Sequence, residues 1–254
     1  MAYKMKVLLA VSFFSMSTRS KSQEYHGITG LLQTPNAEMD SAGTFRGGFY
    51  WVDKAMLPDM TFYGDGVPFS APCYTIGITA FRWIQLSYTG TLVKIHPNDD
   101  LSRPLGYYNE DRHINIKFNP LYEGRWWPAI TVGWDDIGNL KSLKIGKAWT
   151  ANNFFENIYV ATTKHIDIKG YELGVHVAYR YYPSDKNRKR RGLAGGLTLR
   201  PVFYHQLRLI AEWDGIGVNA GADVLLWKHL FVQACLVHGR GFSGGICYRY
   251  RIKY

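Results

Sequence analysis

Apolar and polar residues alternate with a period of two along much of this chain. In residues 171–181, aliphatic and aromatic side chains fill the odd positions, and small or charged side chains fill the even positions. Tyr171 begins the apolar face, and Tyr179 and Tyr181 end it. A strand with an apolar face that is aromatic at both ends, and a polar opposite face, is typical of a membrane barrel, where one face meets lipid and the other meets the lumen.

The same alternation predicts twelve strands. They are residues 44–53, 73–80, 83–94, 111–119, 127–136, 154–165, 170–182, 192–200, 206–214, 216–227, 229–238 and 243–254. Most are close to the roughly 9–11 residues that a tilted strand needs to cross a bilayer. Bacterial single-chain barrels have an even number of strands. We therefore predict an all-β fold, a transmembrane antiparallel β-barrel of about 12 strands.

The gaps between these strands alternate in length. The long gaps are residues 54–72, 95–110, 137–153 and 183–191, and they are separated by short gaps such as 81–82 and 166–169. Outer-membrane barrels show this asymmetry, with short periplasmic turns and longer outer loops. The pattern thus places the barrel in the bacterial outer membrane.

The start of the chain predicts export. Lys4 and Lys6 precede an apolar run at 7–14, and small residues end the stretch before Gln23. This order is typical of a secretory signal peptide, so we assign residues 1–22 to a leader. The apolar run is too short for a spanning helix, which needs about 20 residues.

Residues 23–42 do not resemble a spanning strand, because Pro35 cannot occupy a central ladder position. We predict that this stretch is an N-terminal plug or a periplasmic segment, with the barrel proper over residues 43–254. The candidate plug or docking motif is Thr29, Gly30, Leu31, Leu32, Gln33, Thr34 and Pro35.

Composition and charge narrow the partners. Aromatic residues make up 15% of the chain, and Tyr and Trp favour membrane interfaces. The formal charge is +10, and the leader contributes four cations and no acid, which leaves +6 (10 minus 4). This mild excess suits outer-membrane lipids, lipopolysaccharide phosphates or an acidic polysaccharide. Nucleic acid is not an expected partner of an exported protein. The basic run at 185–191 is either a solvated loop tip or a lipopolysaccharide contact.

Motifs for catalysis, cofactors and metals are weak. The glycine pattern of residues 239–245 fits both G-x-G-x-x-G and G-x-S-x-G, but it leads into a strand rather than a helix, so a glycine-rich hairpin is the better interpretation. The histidines and cysteines lack metal-ligand spacing, and we predict no cofactor, metal or catalytic residue.

Cys235 and Cys247 would face each other if the last hairpin turned about Gly241. A disulfide is then conceivable, although free thiols are the default.

The polar faces of the strands predict what lines the lumen. The candidate set is Lys117, Glu172, Arg180, Arg208, Glu212, Asn219, Asp223 and Arg249. Because both charge signs occur, these side chains could close a narrow barrel with salt bridges or form a polar track for a sugar chain.

Three short blocks carry a family resemblance. They are Gly30–Ala37 with Gly43–Phe45, Pro128–Gly138, and Ala211–Gly215 with Asn219–Gly221. In this order they resemble motifs of the YjbH family. The resemblance implies an outer-membrane barrel linked to exopolysaccharide or capsule production, and not an enzyme. Periplasmic export components are a further candidate partner of such a barrel. The alternatives are a small passive channel for oligosaccharides or other solutes, and a lipid-modifying outer-membrane enzyme.

Overall fold

Twelve antiparallel strands form one closed barrel. The computed structural model describes residues 23–59, 66–137, 154–183 and 185–252. Each strand pairs with the next, and β1 pairs with β12 to close the barrel, which confirms the predicted fold class. The strands are β1 (Thr44–Val52), β2 (Ala71–Phe81), β3 (Ile84–Ile95), β4 (Gly106–Leu121), β5 (Ala129–Asp135), β6 (Asn157–Ile168), β7 (Tyr171–Tyr181), β8 (Gly192–Arg200), β9 (Leu207–Trp213), β10 (Val218–Leu226), β11 (Leu230–Val237) and β12 (Gly241–Arg251).

The alternation along each strand separates an apolar exterior from a polar interior. In β7, Val177 and Tyr179 are exposed on the outside, whereas His176 and Arg180 are buried inside. The outer surface carries aromatic side chains near both ends of the barrel. Trp83, for example, stacks between Phe81 and Phe118, at 5.6 and 6.3 Å between ring centroids. An apolar belt with aromatic rims is the surface that a barrel presents to lipid.

The two ends of the barrel differ in the length of their connections. At the short-turn end, β6 and β7 are joined by Lys169 and Gly170, whose φ values of 52° and 86° fit a two-residue hairpin turn. At the long-loop end, the connections run over 53–70, 96–105, 136–156 and 182–191. The predicted alternation of short and long gaps is therefore present in the structure.

Most strand ends differ from the prediction by one to five residues, and the differences in β4 and β5 have a clear physical reason. β4 begins at Gly106 instead of 111, since the β3–β4 ladder continues past the apolar belt through the polar stretch 109–112. β5 is short because Pro128 precedes it and Asp136 adopts a φ of 58° just after it. Both differences concern the rim of the barrel and not the spanning region.

The last hairpin corrects one proposed contact. Cys235 pairs with Ser243, and Cys247 pairs with Phe231, because the hairpin turns at 238–240 and not about Gly241. The three cysteines are free and buried.

Helical structure is limited to two 3₁₀ segments, Pro97–Asp99 and Asp185–Arg190, in the described part of the chain. No helix among these residues is long and apolar enough to cross a membrane. The leader predicted at 1–22 lies outside the described residues.

Candidate functional site

Residues 23–42, here called the lumenal segment, lie inside the barrel. Residues 23–38 and Asp40 are buried. The segment folds back on itself through bridges between Gln23 and Thr29 and between Gly30 and Pro35. Gly27 makes one of these turns with a φ of 82°, which favours glycine. Because the segment is irregular, most of its backbone polar groups must find partners on the barrel wall.

Glu212 of β9 holds the centre of the motif. Its carboxylate accepts the backbone N–H groups of Leu32, Gln33 and Thr34, each at 3.1 Å at its shortest. The Nδ2 of Asn219 donates to the same carboxylate at 2.8 Å. Hydrogen bonds to an ionised acceptor are stronger than those between neutral groups, so this contact fixes the turn at 32–34.

Lys117 of β4 makes the complementary contact to backbone carbonyls. Its Nζ lies 2.8 Å from Thr29 O and 2.9 Å from Glu38 O, so one ammonium group joins residues 29 and 38 of the segment. Gln85 completes this site, because its Oε1 accepts the Thr29 N–H at 3.0 Å. A fully buried lysine is stable only when its donors are used in this way.

The carboxylate of Glu38, in the lumenal segment, contacts basic side chains of the wall. Glu38 lies 3.0 Å from Arg208 and 3.2 Å from the His165 ring, and Arg208 is also held by Asp223 at 2.8 Å. These contacts fix the part of the segment around Glu38 near the short-turn end of the barrel.

Asp40 lies between two arginines. It pairs with Arg46 of β1 and, at 3.2 Å, with Arg249 of β12. Arg46 and Arg249 are direct cross-strand partners in the ladder that closes the barrel. Asp40 therefore places a negative charge between two cations that would otherwise repel each other.

The part of the segment around His26 is held by neutral groups of the wall. The carbonyl of His26 accepts hydrogen bonds from Ser87, Thr89 and Asn115, at 2.6 to 2.8 Å. The His26 ring lies 3.2 Å from the ring of His113, and burial lowers the pKa of His26 to about 3.

Glu24 is a buried carboxyl group with no hydrogen-bond partner for either side-chain oxygen among the described residues. Burial, reinforced by the nearby carboxylate of Asp135, raises its pKa well above 4.5. A neutral carboxylic acid is the form that such surroundings favour.

The segment also contacts the long loops. Gln33 Nε2 donates to the carbonyl of Met56 at 2.5 Å, and the Gln33 Oε1 accepts from Arg190 at 3.1 Å. Arg190 belongs to the basic run at 185–191, and its buried guanidinium points inward to Asp214 at 3.2 Å. At this position the run is thus neither a solvated tip nor a lipid contact.

The candidate residues from the sequence divide into three groups. Lys117, Arg208, Glu212 and Arg249 touch the lumenal segment directly. Asn219 and Asp223 hold two of those residues in place. Glu172 pairs with Arg200 at 3.0 Å in the wall, and Arg180 donates to the carbonyl of Asp214.

Sequence reasoning missed several partners of the segment. Arg46 and His165 lie on the wall, and Glu38 and Asp40 lie on the segment itself. Arg46 carried a usable signal, because it occupies an inward position of the alternating strand β1. Glu38 carried none, since its partners His165 and Arg208 are distant in sequence.

Together these features define a class, a transmembrane antiparallel β-barrel whose lumen holds its own N-terminal segment. A family model for YjbH, described as exopolysaccharide biosynthesis protein YbjH, matches residues 22–189. This is more than half of the chain, so the chain belongs to the YjbH family, as the sequence resemblance predicted. The first two sequence blocks lie within the matched range, and the third, at 211–221, lies beyond it. No curated protein matches the chain.

Two solved structures are similar in fold. Outer membrane phospholipase A from Escherichia coli has a TM-score of 0.36 and 11% identity, covering 83% of this chain and 92% of that chain. The calcium-bound dimer of the outer membrane phospholipase from Salmonella typhi has a TM-score of 0.35 and 10% identity, covering 84% and 91%. At these scores the likeness carries no argument about activity.

Proposed function

We propose that this chain is a non-enzymatic outer-membrane barrel that assists the export or assembly of an exopolysaccharide or capsule. In this proposal residues 29–37 act as a lumenal plug. The observation that carries it is the occupied lumen, where the segment is held by Glu212, Lys117 and Arg208 from different strands. Family membership supplies the link to exopolysaccharide.

The proposed location is the bacterial outer membrane, with the short turns in the periplasm. The apolar outer belt and the alternation of loop lengths support this placement. Proposed partners are outer-membrane lipids and lipopolysaccharide, an acidic polysaccharide, and periplasmic export components that meet the short-turn end.

Deletion of residues 27–37 tests the plug. The variant keeps Asp40 and every strand, so the barrel should fold, as measured by circular dichroism and by resistance of the barrel to protease. Surface polysaccharide, measured on cells that carry the variant in place of the natural gene, should be lost. A folded variant that leaves surface polysaccharide unchanged would contradict the proposal.

Two further measurements separate the alternatives. A passive channel predicts steady conductance of the intact chain in planar bilayers, whereas a plugged barrel predicts conductance only after residues 27–37 are removed. A lipid-modifying enzyme predicts release of fatty acid from phospholipid or lipopolysaccharide by the purified chain. Conductance of the intact chain, or lipid turnover abolished by a single polar substitution, would replace the proposed function.

A further inference from the structure

A groove at the long-loop rim is lined by residues that the lumenal segment does not provide. Two adjoining cavities of about 320 and 350 Å³ form it, and both are lined by Lys54, Pro68 and Phe69. The first cavity extends to Trp51, Lys94 and Tyr107, and the second to Lys189. The combined space is of the size that a small ligand occupies. We call these two cavities the rim groove.

Three lysines line the rim groove, and none of them has an ion pair in the described part of the chain. Lys54 and Lys189 are exposed, and the Nζ of Lys94 lies 5.1 Å above the centre of the Tyr107 ring. Asp59 is the acidic side chain in the described lining, which leaves an excess of two positive charges (three minus one). Unpaired cations that converge from three separate elements favour an anionic ligand.

Aromatic rings form part of the same lining. Phe69 and Tyr107 meet edge to face at 6.4 Å, and the Tyr107 hydroxyl donates to the Ser70 carbonyl at 2.5 Å, so the Tyr107 ring is fixed. Trp51 stands on the outer face of β1 and is 41% exposed. Rings of this kind offer an apolar face with a polar edge, which suits the C–H face of a sugar ring beside its hydroxyl groups.

The floor of the rim groove is held rigidly from below. The Lys54 N–H donates to Ser70 Oγ at 3.1 Å, and the Met56 carbonyl accepts from Gln33 of the lumenal segment. Arg190 donates to the carbonyls of Ala55 and Leu57. Because this backbone is already ordered, binding of a ligand costs little further backbone entropy.

We propose that the rim groove binds a saccharide that carries acidic groups, either carboxylate or phosphate. This inference deepens the proposed function and rests on it, since an exported acidic polysaccharide is one source of this chemistry. The phosphorylated sugars of lipopolysaccharide are the other source, because Trp51 and Lys94 lie on the outward side of their strands, at the rim of the apolar belt.

Calorimetric titration of the full-length chain in detergent tests the inference. The probes are an oligogalacturonate, a deacylated lipopolysaccharide and a neutral maltooligosaccharide. The double variant Lys54→Gln with Lys94→Gln should bind the acidic probes about tenfold more weakly, because each exposed ion contact contributes a modest share of affinity. The matched control is Lys169→Gln with Lys228→Gln, which removes two charges from exposed short turns at the opposite end and should bind like the natural chain.

The outcomes are distinct. Binding of oligogalacturonate alone supports the rim groove as a site for the exported glycan, and binding of deacylated lipopolysaccharide alone supports it as a site for the envelope lipid. Failure of both acidic probes, equal binding of the maltooligosaccharide, or equal weakening in the control pair would overturn the inference. If the groove fails while deletion of residues 27–37 still removes surface polysaccharide, the proposed function stands without it. If the groove binds but that deletion has no effect, the proposed function falls instead.

Discussion

Glu212→Gln is the sharpest perturbation of the lumenal segment, because it removes one charge and almost no volume. The natural carboxylate accepts three backbone N–H groups from residues 32–34 and one amide N–H from Asn219. A glutamine offers one acceptor oxygen and one NH₂ group at the same place. If its oxygen faces the segment, its NH₂ must face the donor of Asn219.

Asn219 cannot simply turn its amide over to relieve this conflict. Its Oδ1 already accepts the backbone N–H of His238 at 3.2 Å, so rotation would leave that N–H without an acceptor. Replacing a charged acceptor by a neutral one weakens each of the three segment bonds by about 1 kcal/mol, and one unsatisfied donor costs about 1–3 kcal/mol. The substitution should therefore weaken docking of the segment by at least about 4 kcal/mol.

Hydrogen exchange followed by mass spectrometry measures this change locally. Amides of residues 29–37 should exchange roughly a thousandfold faster in the variant, since 1.4 kcal/mol corresponds to a factor of ten. Peptides from the strands should keep their protection. The matched control is Glu172→Gln, a buried inward glutamate that pairs with Arg200 in the wall, and it should leave these amides unchanged. Natural protection of residues 29–37 in the Glu212 variant would refute the argument that this carboxylate holds the segment.

Three other predictions concern the same interior. Burial lowers the pKa of His26 to about 3, so its protonation below about pH 6.5 favours the undocked segment. The raised pKa of Glu24 has the opposite effect, because the docked form then retains a proton that the undocked form loses. In Glu24→Gln only the effect of His26 remains, so docking of the segment should weaken by about 2 kcal/mol between pH 7 and 5. The measurement is faster hydrogen exchange of residues 23–37, and a flat pH profile would contradict this. Gly77→Ala places a Cβ 2.8 Å from the Gly27 carbonyl and should weaken docking of the segment by about 1–3 kcal/mol. Protease cleavage within residues 23–42 should then be faster, and cleavage at the natural rate would count against the close contact. Alkylation after unfolding without reductant should modify all three cysteines, and two blocked thiols would show that the last hairpin has another register.

The barrel could be predicted from the sequence because its signal is local. Each strand repeats an apolar outside and a polar inside, so β7 alone indicated which of its side chains face the lumen, and the structure has Glu172, His176 and Arg180 there. Strand ends were less predictable. The hydrogen-bond ladder can continue past the membrane, as in β4, where the apolar pattern has already stopped.

The interior of the site could be predicted only in part. Alternation showed that Glu212 points inward, but its partner Leu32 is 180 residues away in sequence, and no local pattern links them. Pro35 showed that the lumenal segment is not a central strand, yet it did not determine the path of the segment inside the barrel. Arg190 was harder still, because it lies in a basic run whose neighbours are exposed while its own side chain is buried.

The position of Asp40 has a consequence for the order in which this chain assembles. The ladder between β1 and β12 joins the two ends of the sheet, so it forms only after the last strand has been made. That step brings Arg46 directly opposite Arg249, and two like charges across a ladder oppose pairing. Asp40 precedes β1 by only a few residues, so it is already at the seam when β12 arrives. The barrel therefore closes around its segment, and the occupant of the lumen helps to complete the wall that encloses it.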